Sequence, residues 1–311
     1  MTEPPEALTS TEREEPVPVS DEPTPSTPRR RRRVGWIVAV TLLGLALIAA
    51  GGALAFTLIK LSEAQQLIDH QRELIDEKET FASAAQELMS TAAQFDGVPY
   101  DSLVKASRYA GLIERAWQSR WDAGKVAEVT ASIRRATGEL TDLLTAAENE
   151  ASSNATGTIF ESLTDQLGAG FVKTSLDTAD TACASDVWGC VAGEEPFTIH
   201  YDAADTGGQP YMNDWLRTGL AYHEYAHVLQ FANPGPTTVA EKAFGGDWET
   251  MADCYALTVL PGWTLDHTIW VSDYEYWEVS VGYGYTCDES QRQVIRDWVD
   301  DLGYTHEPIS Q

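Results

Sequence analysis

Two histidines and a glutamate within residues 222–229 have the types and the spacing of a metal-dependent hydrolytic site. His223 and His227 are four residues apart, so on a helix both imidazoles project from one face and can bind one ion. Glu224 lies on the edge of the same face, where its carboxylate can act as general base on a water at the ion. The pattern predicts an HExxH zinc motif on a helix over residues 213–230.

The same pattern also arises by chance on amphipathic helices whose histidines are ordinary core or surface residues. A second stretch favours the metal site. Glu249 follows a Gly245-Gly246 break, and Asp247 is a suitable N-cap for a new helix. A carboxylate there completes a set of three protein ligands and leaves the fourth position open for water. Asp253, one turn further on, is predicted to accept the second ring N–H of a ligand histidine.

These residues resemble a known family. His223-Glu224-x-x-His227 followed by Glu249-x-x-Ala252-Asp253 resembles the gluzincin group of zinc metallopeptidases, and residues 223–230 with 249–254 are similar to a bacterial group of neutral zinc metallopeptidases. The resemblance covers roughly residues 196–261. It implies a small zincin-like domain with a short sheet and an active-site helix, one Zn²⁺ ion, and a peptide or protein substrate.

The resemblance also implies further parts of the site. Gluzincins often supply a His or Tyr after the third ligand as a donor to the oxyanion, and the sequence does not rank the four candidates, which are His267, Tyr283, Tyr285 and His306. Residues 197–201 alternate apolar and polar side chains, as a half-buried strand does. Their place before the active-site helix resembles the edge strand on which gluzincins bind an extended peptide.

Composition divides the chain into four predicted segments. Residues 1–33 are rich in Pro, Glu, Ser and Thr, end in five arginines, and are predicted to be disordered. Residues 34–59 contain no charged side chain and exceed the ~20 residues that cross a bilayer. Residues 60–152 are predicted to form a helical stalk or bundle, and residues 153–311 the zincin-like domain. The predicted fold class is therefore α+β with a single transmembrane helix.

The arginine run sets the predicted topology. It immediately precedes the apolar segment, and only Lys60 follows that segment, so the positive-inside rule places the N-terminus in the cytoplasm. A cleaved secretory signal with a small-x-small site at residues 53–55 is the alternative, but the apolar run and its leader are too long for it. In both cases, residues from about 60 onward are predicted to be extracytoplasmic.

The net charge of −27 excludes some partner classes. Almost all of it belongs to residues 60–311, because the acidic and basic side chains of residues 1–33 nearly cancel. Nucleic acid and anionic lipid surfaces are bound through Lys and Arg. No nucleic-acid partner is therefore expected, and the lipid bilayer is expected to be contacted through the one apolar helix.

The stalk contains three amphipathic segments. In the first, Leu67, Leu74, Phe81 and Leu88 recur every seven residues, and breaks near Gly97 and Gly124 separate it from two more helical patterns. These patterns predict an antiparallel bundle. A parallel coiled coil over residues 61–92, which would make a homodimer, is the alternative. Trp117 and Trp121 are expected to pack in the core.

Four cysteines all follow the apolar segment, and an even number in an oxidising compartment predicts two disulfides. Proximity favours Cys183 with Cys190, which leaves Cys254 with Cys287. A zinc site of four thiolates competes with this pairing, but the cysteines lack the C-x-x-C spacing of such sites.

Together these features predict a membrane-anchored, extracytoplasmic zinc metallopeptidase in which Glu224 is the general base. The alternative is a catalytically inactive, membrane-anchored binding or scaffold protein that retains a zincin-like fold. Glu224 favours the enzyme, because a purely structural zinc site has no use for an unligated base beside the ion.

Overall fold

The computed structural model describes residues 32–100, 102–104, 106–177, 182, 187–284 and 287–303, and the tail predicted to be disordered lies almost wholly outside them. The described chain has a mixed α+β fold, as predicted. Its elements, in chain order, are α1 (Arg32–Ala92), α2 (Ala106–Gln118), α3 (Ala123–Ala151), α4 (Ile159–Gly168), β1 (Lys173–Asp177), β2 (Gly189–Val191), β3 (Thr198–Asp202), α5 (Ala203–Gly207), α6 (Asp214–Ala232), α7 (Pro234–Ala240), α8 (Trp248–Val259), β4 (Asp266–Ser272), β5 (Glu275–Ser280) and α9 (Glu289–Asp301). Two short 3₁₀ helices, Ala93–Phe95 and Glu241–Phe244, complete the set.

Helix α1 runs without a break from the apolar segment into the predicted stalk. Among the described residues, it is the one helix that is long and apolar enough to cross a membrane, judged by length and composition. The chain divides into two compact units, of which the first ends at Ile68 and the second begins at Asp69. The second unit contains every predicted site residue that the structure describes.

The C-terminal part of α1 packs with α2 and α3 around one apolar core. Side chains from all three helices and from the 3₁₀ helix Ala93–Phe95 form it, namely Ala84, Leu88, Phe95, Leu112, Ala116, Val129, Ile133, Ala136 and Leu140. Asp122 begins α3 by accepting the Lys125 backbone N–H. Leu67, the first member of the predicted stripe on α1, is exposed. The homodimer through residues 61–92 stays a prediction.

The expectation that Trp117 and Trp121 pack in the core is wrong. Both indoles are largely exposed: Ala116 is the residue of the last turn of α2 that enters the shared core, and Trp121 follows the end of the helix at Gln118. Basic side chains cover the rings instead: the Arg120 guanidinium lies 4.5 Å from the Trp117 ring centroid, and the Lys78 ammonium 4.5 Å from that of Trp121.

Helix α6 is the centre of the second core. It is buried on nearly every side, with Tyr225, Val228 and Leu229 inaccessible to solvent, and it packs against α4, α8 and the sheet. A helix that is enclosed in this way is a rigid platform for a site that needs precise geometry. The Asn213 side chain caps its N-terminus by accepting the Leu216 backbone N–H.

The three-stranded sheet has the order β1-β3-β2. The predicted strand at residues 197–201 corresponds to β3, but its predicted position at the sheet edge is wrong. β3 pairs in parallel with β1 and antiparallel with β2, and both Ile199 and His200 are buried. β3 therefore lies in the middle of the sheet, and β1 and β2 form its two edges.

A disulfide joins Cys254 of α8 to Cys287, which precedes α9. This is one of the two predicted bridges. Cys183, a member of the other, lies outside the described residues. The bridge connects the helix that carries Glu249 and Asp253 to the C-terminal region, where an Asp288–Gln291 capping box begins α9.

Candidate metal centre

The first turn of α8 faces the middle of α6. Asp247 caps α8 by accepting the backbone N–H groups of Glu249 and Thr250, which sets the position of Glu249 at the helix start. Apolar side chains of the two helices, among them Tyr222 and Tyr255, bring them together below this turn. Packing of α8 on α6 therefore places Glu249 opposite His223 and His227.

Three ligand atoms converge at this point. Nε2 of His223 lies 3.2 Å from Nε2 of His227, and Oε2 of Glu249 lies 3.1 Å and 3.2 Å from these two nitrogens. A tetrahedral zinc ion with bonds of ~2.0–2.1 Å has ligand atoms about 3.3 Å apart. The group His223, His227 and Glu249 could therefore hold a metal ion.

Each histidine is oriented through its other nitrogen. Nδ1 of His223 lies 2.8 Å from the carboxylate oxygen Oδ1 of Asp253. Nδ1 of His227 lies 2.7 Å from the amide oxygen Oε1 of Gln230. Both acceptors are buried. In the neutral tautomer in which Nδ1 donates to this acceptor, each Nε2 presents its lone pair to the other two ligand atoms, as a metal ligand must.

Gln230 was not among the residues predicted for the site. Its amide nitrogen donates to the carbonyl of Trp248 at 3.1 Å, so the same side chain that orients His227 also fixes the start of α8 next to Glu249. The signal in the sequence is the i, i+3 spacing from His227 to a polar residue in an otherwise apolar stretch.

Asp253 is held from a third element. Its Oδ2 accepts the backbone N–H of Tyr283 at 2.9 Å. The chain approaches so closely here that a Cβ atom on Gly282 would lie 2.5 Å from Oδ2, and Gly282 has a φ of +75°. Only glycine combines this backbone conformation with this close approach, so Gly282 is a second site residue that sequence reasoning missed.

Glu224 is 3% exposed, and its Oε2 atom has no hydrogen-bond partner among the described residues. Burial raises the pKa of this carboxyl, although the two neighbouring histidines act in the opposite direction. Strand β2 lies close to the same carboxylate, since a Cβ atom on Gly189 would lie 3.0 Å from Oε1 of Glu224. A buried carboxylate without a partner is costly unless a ligand or solvent completes it.

The histidines and carboxylates of the site strongly shift one another's pKa values. Burial acts to lower the pKa of His223, but its hydrogen bonds with Asp253 and Glu249 outweigh burial and raise that pKa to about 10. Hydrogen bonds from His223 and His227 hold the pKa of Glu249 well below its usual range. A bound cation would replace the proton held between these groups, because metal ligands must be deprotonated.

A cleft of about 560 Å³ opens over the three ligand atoms. Its apolar lining includes Leu216, Leu220, Phe231, Trp248 and Trp263. Apolar walls around a few convergent polar groups are typical of a site for an organic ligand.

The structure separates the four candidate oxyanion donors. Tyr283 lies on the rim of the cleft, with its ring centroid 6.2 Å from that of His223. His267 does not line the cleft and stacks on Trp215 at a centroid distance of 3.8 Å. Tyr285 and His306 lie outside the described residues.

Comparison with known proteins found no matching family model, no matching curated protein and no matching solved structure. Function is therefore inferred from the geometry of the site. Three protein ligands, an open side facing a cleft and a buried carboxylate next to the ligands are the parts that metal-assisted hydrolysis needs.

Proposed function

We propose that this protein is a zinc-dependent hydrolase that cleaves peptide bonds, anchored to a membrane by α1 with its site on the extracytoplasmic side. The observation that carries the proposal is the convergence of three ligand atoms within 3.2 Å of one another beside the buried Glu224 carboxylate, whose Oε2 atom has no hydrogen-bond partner among the described residues.

The donor set supports zinc over calcium and magnesium. Two imidazole nitrogens and one carboxylate oxygen are typical of catalytic zinc, whereas calcium and magnesium prefer oxygen ligands throughout. A structural zinc site is closed by four protein ligands. Here three converge among the described residues, and their open side faces the cleft.

Bound zinc would supply the Lewis acidity that makes a water nucleophilic near neutral pH and polarises the substrate carbonyl. Glu224 accepts a proton from the attacking water as its oxygen adds to the carbonyl carbon. The same carboxyl then returns that proton to the amide nitrogen as the C–N bond breaks, which releases a carboxylic acid and an amine. Its buried, unpartnered oxygen suits a group that must hold a proton transiently.

Tyr283 is the donor that the geometry favours for the oxyanion. Its backbone N–H is anchored on Asp253 at 2.9 Å, and its side chain lines the cleft. A phenol hydroxyl on that rim can donate to the developing negative charge, as such donors must do from a fixed position.

The membrane topology is part of the proposal. α1 has the length and composition of a membrane span, and residues 29–33 on its N-terminal side are all arginine. The positive-inside rule then places the metal centre on the opposite side of the membrane. This location also suits a disulfide between Cys254 and Cys287.

The test compares the full chain in detergent micelles with its Glu224→Gln variant. Metal content after dialysis and cleavage of a mixed peptide library are measured, with Glu87→Gln, an exposed position on α1, as control. We expect one zinc ion per chain in all three proteins and hydrolysis lost only in Glu224→Gln, by at least about 10²-fold. Zinc without hydrolysis in the unaltered chain would favour a binding protein, and absence of zinc would refute the site.

A further inference from the structure

The β4–β5 hairpin carries an exposed aromatic face. Trp270 and Tyr276 lie directly opposite each other in the antiparallel register, with ring centroids 5.0 Å apart. They are 65% and 51% exposed, and Tyr274 at the turn is 95% exposed. Trp270, Tyr274 and Tyr276 together form the aromatic face of the hairpin.

The hairpin packs on the protein through the side opposite the aromatic face. On that side, Ile269 and Val279 join Met212 and Leu216 in a separate apolar cluster. The aromatic face is therefore apolar surface that the described chain leaves uncovered. Large aromatic side chains grouped at the surface are typical of binding sites rather than of scattered surface residues.

Charge around the aromatic face has one sign. The hairpin carries the exposed carboxylates of Asp266, Asp273, Glu275 and Glu278, and the sequence holds no lysine or arginine between Lys242 and Arg292. Glu278 lies two positions after Tyr276 and Asp266 four positions before Trp270, so both carboxylates project from the same side of the hairpin as the rings. Aromatic rings and carboxylates together attract cations, through the ring faces and through Coulomb interaction.

The hairpin leads directly into the metal cleft. β5 ends at Ser280, and Val281, Gly282 and Tyr283, which follow it, line the cleft. The chain from Tyr276 to Tyr283 would span about 23 Å if it were fully extended at ~3.3 Å per residue, which is an upper limit for their separation. A second connection runs through ring contacts: Trp188 of the cleft wall lies 6.1 Å from Tyr211, which lies 6.2 Å from Trp277.

We propose that the aromatic face and its carboxylates bind a basic segment of the polypeptide substrate, several residues away from the bond that is cleaved. Lysine and arginine side chains stack on the rings and pair with Asp266 and Glu278, while the chain between them and the scissile bond follows β5 to the cleft. This inference rests on the proposed function only in taking the substrate to be a polypeptide. Like charge disfavours an anionic lipid surface or a second copy of this chain as the occupant.

Binding is tested without catalysis, using the full chain in detergent with Glu224→Gln to prevent turnover. The probes are fluorescein-labelled peptides of alternating Lys and Ala, alternating Gln and Ala, and alternating Glu and Ala, each long enough to span about 23 Å of extended chain. We expect the lysine peptide to bind at least tenfold more tightly than the glutamine peptide, with affinity that falls as salt rises, and the glutamate peptide to show no binding.

Two paired variants locate the contact. Trp270→Ala with Tyr276→Ala, and Asp266→Asn with Glu278→Gln, should each weaken binding of the lysine peptide at least tenfold. Asp142→Asn with Glu148→Gln removes the same charge from exposed positions on α3, and Trp117→Ala removes an equally exposed indole. Both controls should leave binding within twofold of the parent protein, because neither touches the hairpin.

The outcomes separate this inference from the proposed function. Equal loss in the hairpin variants and in the α3 control would mean that only the overall charge attracts the peptide, and would overturn the inference. So would hairpin-dependent binding of a neutral oligosaccharide in place of the lysine peptide. If the protein nevertheless cleaves short uncharged peptides, the proposed function stands. If the lysine peptide binds through the hairpin but the unaltered chain hydrolyses no peptide, the binding site on the hairpin is supported and the proposed hydrolase function is not.

Discussion

Oδ1 of Asp253 lies 2.8 Å from Nδ1 of His223 across the contact between α8 and α6. The other oxygen of the same carboxylate accepts the Tyr283 backbone N–H. One buried side chain therefore links the helix of the two histidines, the helix of the third ligand and the cleft rim. Such a carboxylate fixes the ring orientation and raises the basicity of the ligand nitrogen.

Asp253→Asn should weaken zinc binding about 10–100-fold, because the amide keeps the shape of the carboxylate and removes its charge from His223. The measurement is competition with a chromophoric chelator at fixed pH. Zinc at saturating concentration should still bind at one ion per chain. Asp142→Asn, an exposed change on α3, is the control, and equal affinities for the two variants would contradict the role assigned to Asp253.

Tyr283→Phe should lower kcat about 10²–10³-fold with little change in KM, because a donor to the oxyanion acts only in the transition state. At saturating concentration zinc should still bind at one ion per chain, since the three ligands and the backbone N–H that Asp253 accepts remain. Tyr109→Phe removes a hydroxyl from a tyrosine of α2 that lies neither in the cleft lining nor on the hairpin and should leave kcat unchanged. Equal kcat values for the two variants would transfer the donor role to another group.

Gly219→Ala should destabilise the fold by about 1–3 kcal/mol. This glycine lies one turn before His223 on α6, and a Cβ there would come within 2.1 Å of the Trp263 ring, which is itself buried. Gly138→Ala is the matched control, since it is also helical and has nothing within 4 Å of its Cβ position. It should stabilise α3 by about 0.5–1 kcal/mol. Urea unfolding followed by tryptophan fluorescence measures both changes.

Asp165→Asn should change the pH dependence of stability. Burial, followed by the nearby carboxylates of Glu150 and Glu161, raises the pKa of Asp165 to about 6 from its ordinary value of 3.8. The folded protein therefore favours the protonated carboxyl. The protonated Asp165 side chain contributes to the free energy of unfolding at pH 4, and this contribution is lost as the pH rises through 6.

Above pH 7, the asparagine variant should consequently be more stable than the parent by roughly 1–2 kcal/mol, a figure reduced for partial exposure of the side chain. The advantage should shrink toward pH 4. Urea titrations of both proteins between pH 4 and pH 8 measure the difference. A constant difference over this range would show that Asp165 does not titrate as its surroundings indicate.

Local features of the metal centre were accessible from the sequence. The spacing of His223 and His227 places both rings on one face of any helix, and Asn213 and Asp247 are N-caps whatever the helices contact. The apolar run in α1 is likewise a property of contiguous residues. These features depend on the helical repeat and on hydrogen bonds within a few residues, so a linear pattern is sufficient to predict them.

Contacts between elements were decided only by the tertiary structure. The sequence predicts that Asp253 accepts from a ligand histidine, but only the structure shows that this ring is His223 and that Gln230 orients His227. Spacing also did not reveal that β3 lies between β1 and β2, or that Tyr283 reaches the cleft while His267 stacks on Trp215. Each outcome depends on how separate elements pack and in which register they pair. Hydrophobic periodicity states which face of an element is buried, but it does not identify the element that covers that face.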